Sequence, residues 1–190
     1  MSRRLNVALE KTALTFLSAV LFVGFFQFNG FAFSAFEHSQ GVNWVFLPAG
    51  FRVILVLVLG LPGAIGLMLG SWFIDRDLLT GPSYALAVAN GLVADLTPWL
   101  VMKYLHKRQW LSQQLHTITP PQLFQMILIF AASSAVMHQL VWLLLERPGL
   151  NIWVDVWPMF VGNATGTLLM LYVMKFVLDW AQSKRSRQES

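Results

Sequence analysis

The sequence predicts an all-α polytopic membrane protein, a bundle of about six transmembrane helices with both termini in the cytoplasm. Hydrophobic residues make up 56% of the 190 residues and charged residues only 12%, which is too little polar surface to cover a water-soluble domain of this size. The apolar residues form long runs separated by short polar loops, and helices satisfy every backbone group within lipid. Basic residues are concentrated on alternate loops, which is typical of inner-membrane proteins.

The first three predicted helices cover residues 12–33, 44–59 and 64–74. The first apolar run is longer than the apolar region of a signal peptide, so we interpret it as a span. Pro48 lies near the start of the second helix, where proline is tolerated. After a tight turn at residues 60–63, the third helix is short enough to be a tilted span or a re-entrant element, and we favour the span.

The remaining predicted helices cover residues 83–105, 123–145 and 156–178. Pro98 lies inside the fourth helix and is expected to kink it. A polar stretch at 106–122 separates the fourth and fifth helices. Residues 1–182 are therefore predicted to form one transmembrane domain, followed by a basic polar cytoplasmic tail at 183–190.

The positive charges predict the orientation. One side of the six-helix arrangement holds only Arg76 and Arg147. The opposite side holds nine basic residues: Arg3, Arg4, Lys11, Lys103, Lys107, Arg108, Lys184, Arg185 and Arg187. The positive-inside rule places these nine in the cytoplasm of a bacterium, with the chain in the inner membrane.

Two charges are predicted to lie at membrane depth. Arg52 is about nine residues into the second helix and Asp95 about thirteen into the fourth, which corresponds to depths of ~14 and ~20 Å in a core of ~30 Å. Such a charge needs a partner or water and marks a candidate functional site. The two residues form a structural ion pair, or one or both bind a ligand of opposite charge, and both interpretations stay open.

Three further polar residues are predicted at similar depth, namely Asn90, His138 and Asn163. His138 shares one face of the fifth helix with Ser134 and Trp142, because the three are spaced four residues apart. We interpret His138 as an interhelical hydrogen-bond contact, with a proton-sensitive switch as the alternative. The sequence thus predicts a polar layer that holds the bundle together or recognises a ligand, formed by Arg52, Asp95, Asn90, His138 and Asn163.

Closely spaced glycines predict tight helix packing. Gly63, Gly66 and Gly70 follow one another in the third helix, and Gly162 and Gly166 are four residues apart in the sixth. Small residues at this spacing let a second helix approach closely. We expect Asn163 and Thr167 to line an internal polar face next to the second pair.

The sequence contains no recognisable enzyme motif, and we predict a protein that is not an enzyme. Phosphate-binding glycine loops, HExxH metal motifs and serine–histidine–carboxylate spacings are missing. The four histidines are scattered and cysteine is absent, so we expect no metal, no cofactor and no disulfide. The net charge of +4 lies at helix ends, which indicates contact with lipid headgroups and not with nucleic acid.

Two patches resemble the integral-membrane sensory domain called MASE, type one, which is found in bacterial diguanylate cyclases and histidine kinases. They are Trp44-x-x-x-Pro48-x-Gly50 with Gly60-x-Pro62 and the glycines at 66 and 70, and Trp157-Pro158 through Gly166 with Asn163 at the polar position. The patches cover under a third of the chain, and Arg52 is not part of the pattern. That family has about eight spans fused to a signalling domain, whereas this chain has six predicted spans and no output domain. The resemblance implies a sensory module that binds a small molecule, with its output on a membrane or cytoplasmic protein partner.

Two other functions fit the same features. Substrate-binding S-components of vitamin transporters are similar in length and in number of helices. They typically carry an AxxxA pattern on the first helix, where this chain has Ala13 and Ala19 in a phenylalanine-rich run. A small accessory subunit of a larger membrane complex is the third interpretation, with the phenylalanine-rich helix as its contact surface.

Overall fold

The computed structural model describes residues 2–39, 42–110 and 119–188. These residues form seven α-helices, a short 3-10 turn and a two-stranded antiparallel ribbon. In chain order the elements are α1 (Ser2–Phe33), β1 (Glu37–Ser39), β2 (Val42–Asn43), α2 (Leu47–Leu59), α3 (Leu61–Ile74), α4 (Arg76–Leu79), α5 (Tyr84–Lys107), α6 (Pro120–Leu144) and α7 (Ile152–Gln188). The predicted all-α class is confirmed. Gly41, residues 111–118 of the predicted polar stretch and the end of the tail lie outside the described residues.

Four helices, α1, α5, α6 and α7, are long and apolar enough to cross a membrane. Each begins or ends close to its predicted bound, but α1 starts earlier, at Ser2, and α7 continues to Gln188. A capping box at Thr119 and Gln122 explains where α6 begins, because each side chain satisfies a main-chain group of the other residue. The described residues are therefore consistent with a helical membrane protein of at least four spans.

The second and third predicted helices form a hairpin of two apolar helices that are shorter than the other four. α2 has 13 residues and α3 has 14, so each is roughly 20 Å long against a hydrocarbon core of ~30 Å. Gly60 alone connects them, with φ at 62°, a conformation that glycine adopts without steric cost. Since the hairpin starts and finishes at the same end of the bundle, the direction of α5, α6 and α7 is the same whether or not it crosses fully.

The glycines of α3 allow it to pack directly on α1 and against α2. A Cβ at Gly66 would collide with the carbonyl oxygen of Thr15 in α1, and one at Gly70 would lie 3.0 Å from the ring of Phe22. A Cβ at Gly63 would lie 2.5 Å from a carbonyl oxygen of α2. All three glycines thus lie at close contacts between helices, where a Cβ would force the neighbouring atoms to shift.

A second close approach joins α7 to the segment that precedes α2. A Cβ at Gly162 would overlap the carbonyl oxygen of Asn43, and one at Gly166 would overlap that of Phe46. The main-chain N–H of Phe46 donates to the carbonyl oxygen of Gly162 at 3.2 Å. Gly50 of α2, which is not among the predicted packing glycines, lies against α7 in the same way. The start of α2 is therefore held against the middle of α7.

The ribbon β1–β2 packs on the start of α7. Ser39 Oγ donates to Asp155 Oδ1 at 3.1 Å, and His38 Nε2 lies 3.7 Å from the same oxygen. The ribbon, α4 and the loop at 145–151 share one end of the bundle, which we call the ribbon side. The end that carries Lys103 and Lys107 is called the basic side.

We expect Gly66→Ala to lower the stability of the folded bundle by about 1–3 kcal/mol, since the added methyl group overpacks the contact between α3 and α1. Thermal unfolding in detergent, followed by circular dichroism, measures the change. Gly24→Ala is the matched control, because Gly24 lies in α1 and a Cβ added there would have no neighbouring atom within 4 Å. Equal unfolding temperatures for the two variants would contradict the packing role of Gly66.

Candidate functional site

Arg52 and Asp95 form a buried ion pair between α2 and α5. Arg52 Nε donates to Asp95 Oδ1 at 2.7 Å. The side chain of Asp95 is fully buried, and Arg52 is only 8% exposed. The structure thus brings the two predicted membrane-depth charges into contact, where each compensates the other in a region of low dielectric.

The pair is joined by one hydrogen bond and not by the two parallel bonds of a bidentate contact. In the described part of the chain, the two terminal nitrogens of Arg52 donate to no acceptor. They are also not among the fully buried unpartnered atoms. The rings of Phe22 and Phe46 lie 4.7 and 5.6 Å from Arg52 Cζ, and these cation–π contacts hold the guanidinium in place. Its outer edge is therefore left available to another acceptor.

That edge belongs to a cavity of about 360 Å³ that reaches the ribbon side, called here the ribbon-side cavity. Each of the helices α1 to α7 contributes to its walls. Its polar lining residues are Asn43, Arg52, Ser71, Asp75, Ser83, Asn90, Ser134, His138, Arg147 and Asn163. Its apolar walls include Phe22, Phe26, Phe46, Leu86 and Met159. A concave, mainly preformed space with a few polar groups is the usual form of a small-molecule site.

The predicted shared face of α6 lines this cavity. His138 Nδ1 lies 2.8 Å from the carbonyl oxygen of Ser134. A carbonyl oxygen only accepts, so the proton is assigned to Nδ1, and Nε2 of the neutral ring is left as an acceptor. One turn further along, Trp142 Nε1 donates to Asn90 Oδ1 at 2.7 Å. His138 is thus an oriented imidazole with one nitrogen unused by the bundle.

Asn163 places a second unused polar group in the cavity. The residue is 5% exposed, and its side-chain amide has no hydrogen-bond partner among the residues that the structure describes. Its carbonyl oxygen accepts from Thr167 Oγ1 at 2.6 Å, a contact within α7. Since the side-chain atoms are not fully enclosed, the amide remains able to bond to a molecule in the cavity.

Four of the five residues predicted to form the polar layer line the ribbon-side cavity: Arg52, Asn90, His138 and Asn163. Asp95, the fifth, lies behind Arg52 and does not line it. Whether the layer recognises a ligand stays a prediction. Within the described residues, no cluster of three His, Asp or Glu side chains has the geometry of a metal site.

Two charged residues at the mouth of the cavity were not predicted. Burial raises the pKa of Asp75, opposed by a hydrogen bond from Asn90 and by the charge of Arg52. Burial lowers the pKa of Arg147, opposed by the charge of Asp155. In sequence, Asp75 and Arg147 resemble ordinary loop charges, and only the arrangement of the helix ends brings them to the cavity.

The Asp95 carboxylate depends on Arg52 for the compensation of its buried charge. Asp95 Oδ2 and the neighbouring Ser71 Oγ are both buried without a well-formed hydrogen bond in the described residues. Arg52 is therefore the principal compensation for the Asp95 charge. Removal of Arg52 would leave an uncompensated carboxylate inside the bundle.

We expect Arg52→Met to destabilise the bundle by about 3–5 kcal/mol, because breaking a buried pair leaves one charge without its partner. The double variant Arg52→Met, Asp95→Leu should recover most of that loss, since it removes both charges. Thermal unfolding of the wild type, both single variants and the double variant gives the coupling energy. Additive effects of the two single changes would exclude a stabilising pair.

No family model matches this chain, and neither a curated protein nor a solved structure is found to be similar to it. The resemblance of the tryptophan–proline patches to a sensory domain therefore stays a prediction. What the chain does is inferred below from the ribbon-side cavity and its lining.

Proposed function

We propose that this chain is a membrane receptor module that binds a small polar molecule in the ribbon-side cavity and passes the signal to a protein partner. The observation that carries the proposal is the outer edge of Arg52, a residue only 8% exposed whose terminal nitrogens are unused beside a cavity of about 360 Å³. Keeping an arginine at this depth is costly, and such residues mark ligand or ion sites in membrane proteins.

The lining favours reversible binding of a polar ligand. Arg52 offers donors, Asn163 offers both a donor and an acceptor, and His138 offers an acceptor. Hydrogen bonds are stronger in a low-dielectric site than in water, so a ligand that satisfies these three groups replaces water molecules that otherwise occupy a polar cavity. The volume is near the lower end of the ~300–1,000 Å³ range of ligand pockets, which suits a small molecule.

The position of these groups supports a signalling role. Arg52 belongs to the α2–α3 hairpin, His138 to α6 and Asn163 to α7, so one ligand would draw three elements together. A ligand shifts an equilibrium between two arrangements by its difference in affinity for them. Movement of α6 and α7 relative to the hairpin would reach the basic side, where a membrane or cytoplasmic partner can sense it.

Transport is the second candidate, as in an S-component-like subunit. The observation that favours it is the α2–α3 hairpin, because short helices that meet within the membrane surround substrate sites in many transporters. Uptake of a bound ligand into proteoliposomes containing this chain with an ATPase partner would support transport. Binding without uptake would support the receptor.

We further propose that the ribbon side faces the periplasm and the basic side the cytoplasm of a bacterial inner membrane. The bias of basic residues supports this orientation. At roughly 20 Å, each helix of the α2–α3 hairpin is shorter than the hydrocarbon core. A re-entrant element and two short crossings of a locally thinned bilayer both fit this length.

We expect a membrane-impermeant maleimide to label Asp77→Cys in intact spheroplasts and Lys107→Cys only after lysis. Both positions are exposed, and the cysteine-free parent chain is the blank. The reverse pattern would invert the orientation. Leu61→Cys reports on the hairpin tip: no labelling after lysis supports a re-entrant hairpin, and labelling supports six spans.

We expect a fraction of small metabolites from a bacterial extract to raise the Tm of the purified protein, because a ligand at 100 times its Kd stabilises a folded protein by about 2.7 kcal/mol. Ser83→Trp should abolish this rise, since Ser83 lines the mouth of the cavity and is exposed. Tyr84→Trp is the matched control, because Tyr84 is the next residue in the chain, is 61% exposed and lies outside the cavity. A Tm rise that survives Ser83→Trp would place the ligand elsewhere.

A further inference from the structure

The ribbon-side cavity is lined by charged groups of both signs, which we call its two poles. Arg52 lies in α2, where its terminal nitrogens donate to no acceptor among the described residues, and Asp75 follows the end of α3 at the ribbon side. Both line the same space, and the charge of Arg52 acts on the Asp75 carboxylate. The cavity thus offers a site for a negative group at one pole and a site for a positive group at the other.

The pole at Arg52 suits a carboxylate in particular. A guanidinium presents its donors in a planar fork that matches the two oxygens of a carboxylate. Arg52 Nε is used by Asp95, which leaves the edge formed by the two terminal nitrogens for a second carboxylate. The amide of Asn163, buried and without a partner in the described residues, is a further donor in the same cavity.

The pole at Asp75 suits an ammonium group. The side-chain amide of Asn90, whose oxygen accepts from Trp142, favours the charged form of the Asp75 carboxyl group. Both Asn90 and Asp75 line the cavity. A positive group there would reduce the unfavourable effect of burial on the Asp75 charge.

The charges and the apolar walls of the cavity further restrict the chemical class of the ligand. Among the charged residues that line the cavity, Arg52 and Arg147 are positive and Asp75 is negative; Asp95 pairs with Arg52, and the charge of Asp155 acts on Arg147. A molecule with one negative and one positive group therefore finds an opposite charge for each in the lining. The cavity also presents the rings of Phe22 and Phe26 and the chain of Met159, which suit an apolar side chain that extends away from the two charged groups of the ligand.

Resting on the proposed receptor function, we propose that the ligand is a small zwitterion with an apolar side chain, of the α-amino acid type. Its carboxylate binds the terminal nitrogens of Arg52 and its ammonium group binds Asp75. The apolar side chain lies against the phenylalanine rings.

Isothermal titration of the purified full chain in nanodiscs tests this with matched probes. Phenylalanine and leucine are the zwitterions. Their des-amino forms are 3-phenylpropanoate and 4-methylpentanoate, and their decarboxylated forms are phenethylamine and 3-methylbutylamine. We expect at least one zwitterion to bind about tenfold or more tightly than both of its analogues, since each lost charge-assisted contact is worth about that factor.

Two variants test which charged group of the ligand binds Asp75 and which binds Arg52. Asp75→Asn should weaken binding of the zwitterion about tenfold and leave the des-amino acid unchanged. Arg52→Lys keeps a cation beside Asp95 but loses the planar fork, so it should weaken the zwitterion and the des-amino acid alike and leave the amine unchanged. Circular dichroism confirms that each variant is folded before titration.

The experiment distinguishes a wrong ligand class from a wrong receptor function. A des-amino acid that binds as tightly as its zwitterion would overturn the ammonium pole, and an amine that does so would overturn the carboxylate pole. If no probe binds while a metabolite fraction still gives a rise in Tm that Ser83→Trp abolishes, the ligand class is wrong and the receptor function stands. If that rise is also missing, the receptor function fails with it.

Discussion

A single hydrogen bond between a guanidinium and a carboxylate, buried between α2 and α5, is the constraint on which the arrangement of this bundle depends. Neither Arg52 nor Asp95 is stable facing lipid, so the two helices have to stay in contact at that depth. α3, joined to α2 by Gly60 alone, is then positioned to pack on both α1 and α5. The rings of Phe22 and Phe46 hold the guanidinium from α1 and from the segment before α2.

The same constraint explains why the cavity is at one end of the bundle. Toward the basic side, α2, α5 and α6 are closed by an apolar cluster of Ala49, Val53, Val101, Leu105, Met126 and Phe130. Toward the ribbon side, polar side chains replace these residues and the helices leave a space that reaches the loops. The cavity is therefore open toward the ribbon side and closed toward the basic side.

Helix periodicity and residue counts indicated which polar side chains lie near one another. Counting residues from the helix starts placed Arg52 and Asp95 at comparable depths, and they are in contact. The spacing of four put Ser134 and His138 on one face, and both line the cavity. The contributions of Asp75 and Arg147 could not be predicted in this way, because a loop charge reaches a cavity only through the arrangement of neighbouring helices.

The sequence by itself determined the helical, apolar class of the chain and the glycines that allow close packing, because hydropathy and helical period are properties of each segment alone. Only the tertiary structure decided that Arg52 donates from Nε to Asp95, while its terminal nitrogens donate to no acceptor among the described residues. That choice depends on the separation of α2 from α5 and on the rings of Phe22 and Phe46, which come from other parts of the chain. Contacts between helices set the direction of a side chain, and no periodicity within one helix encodes them.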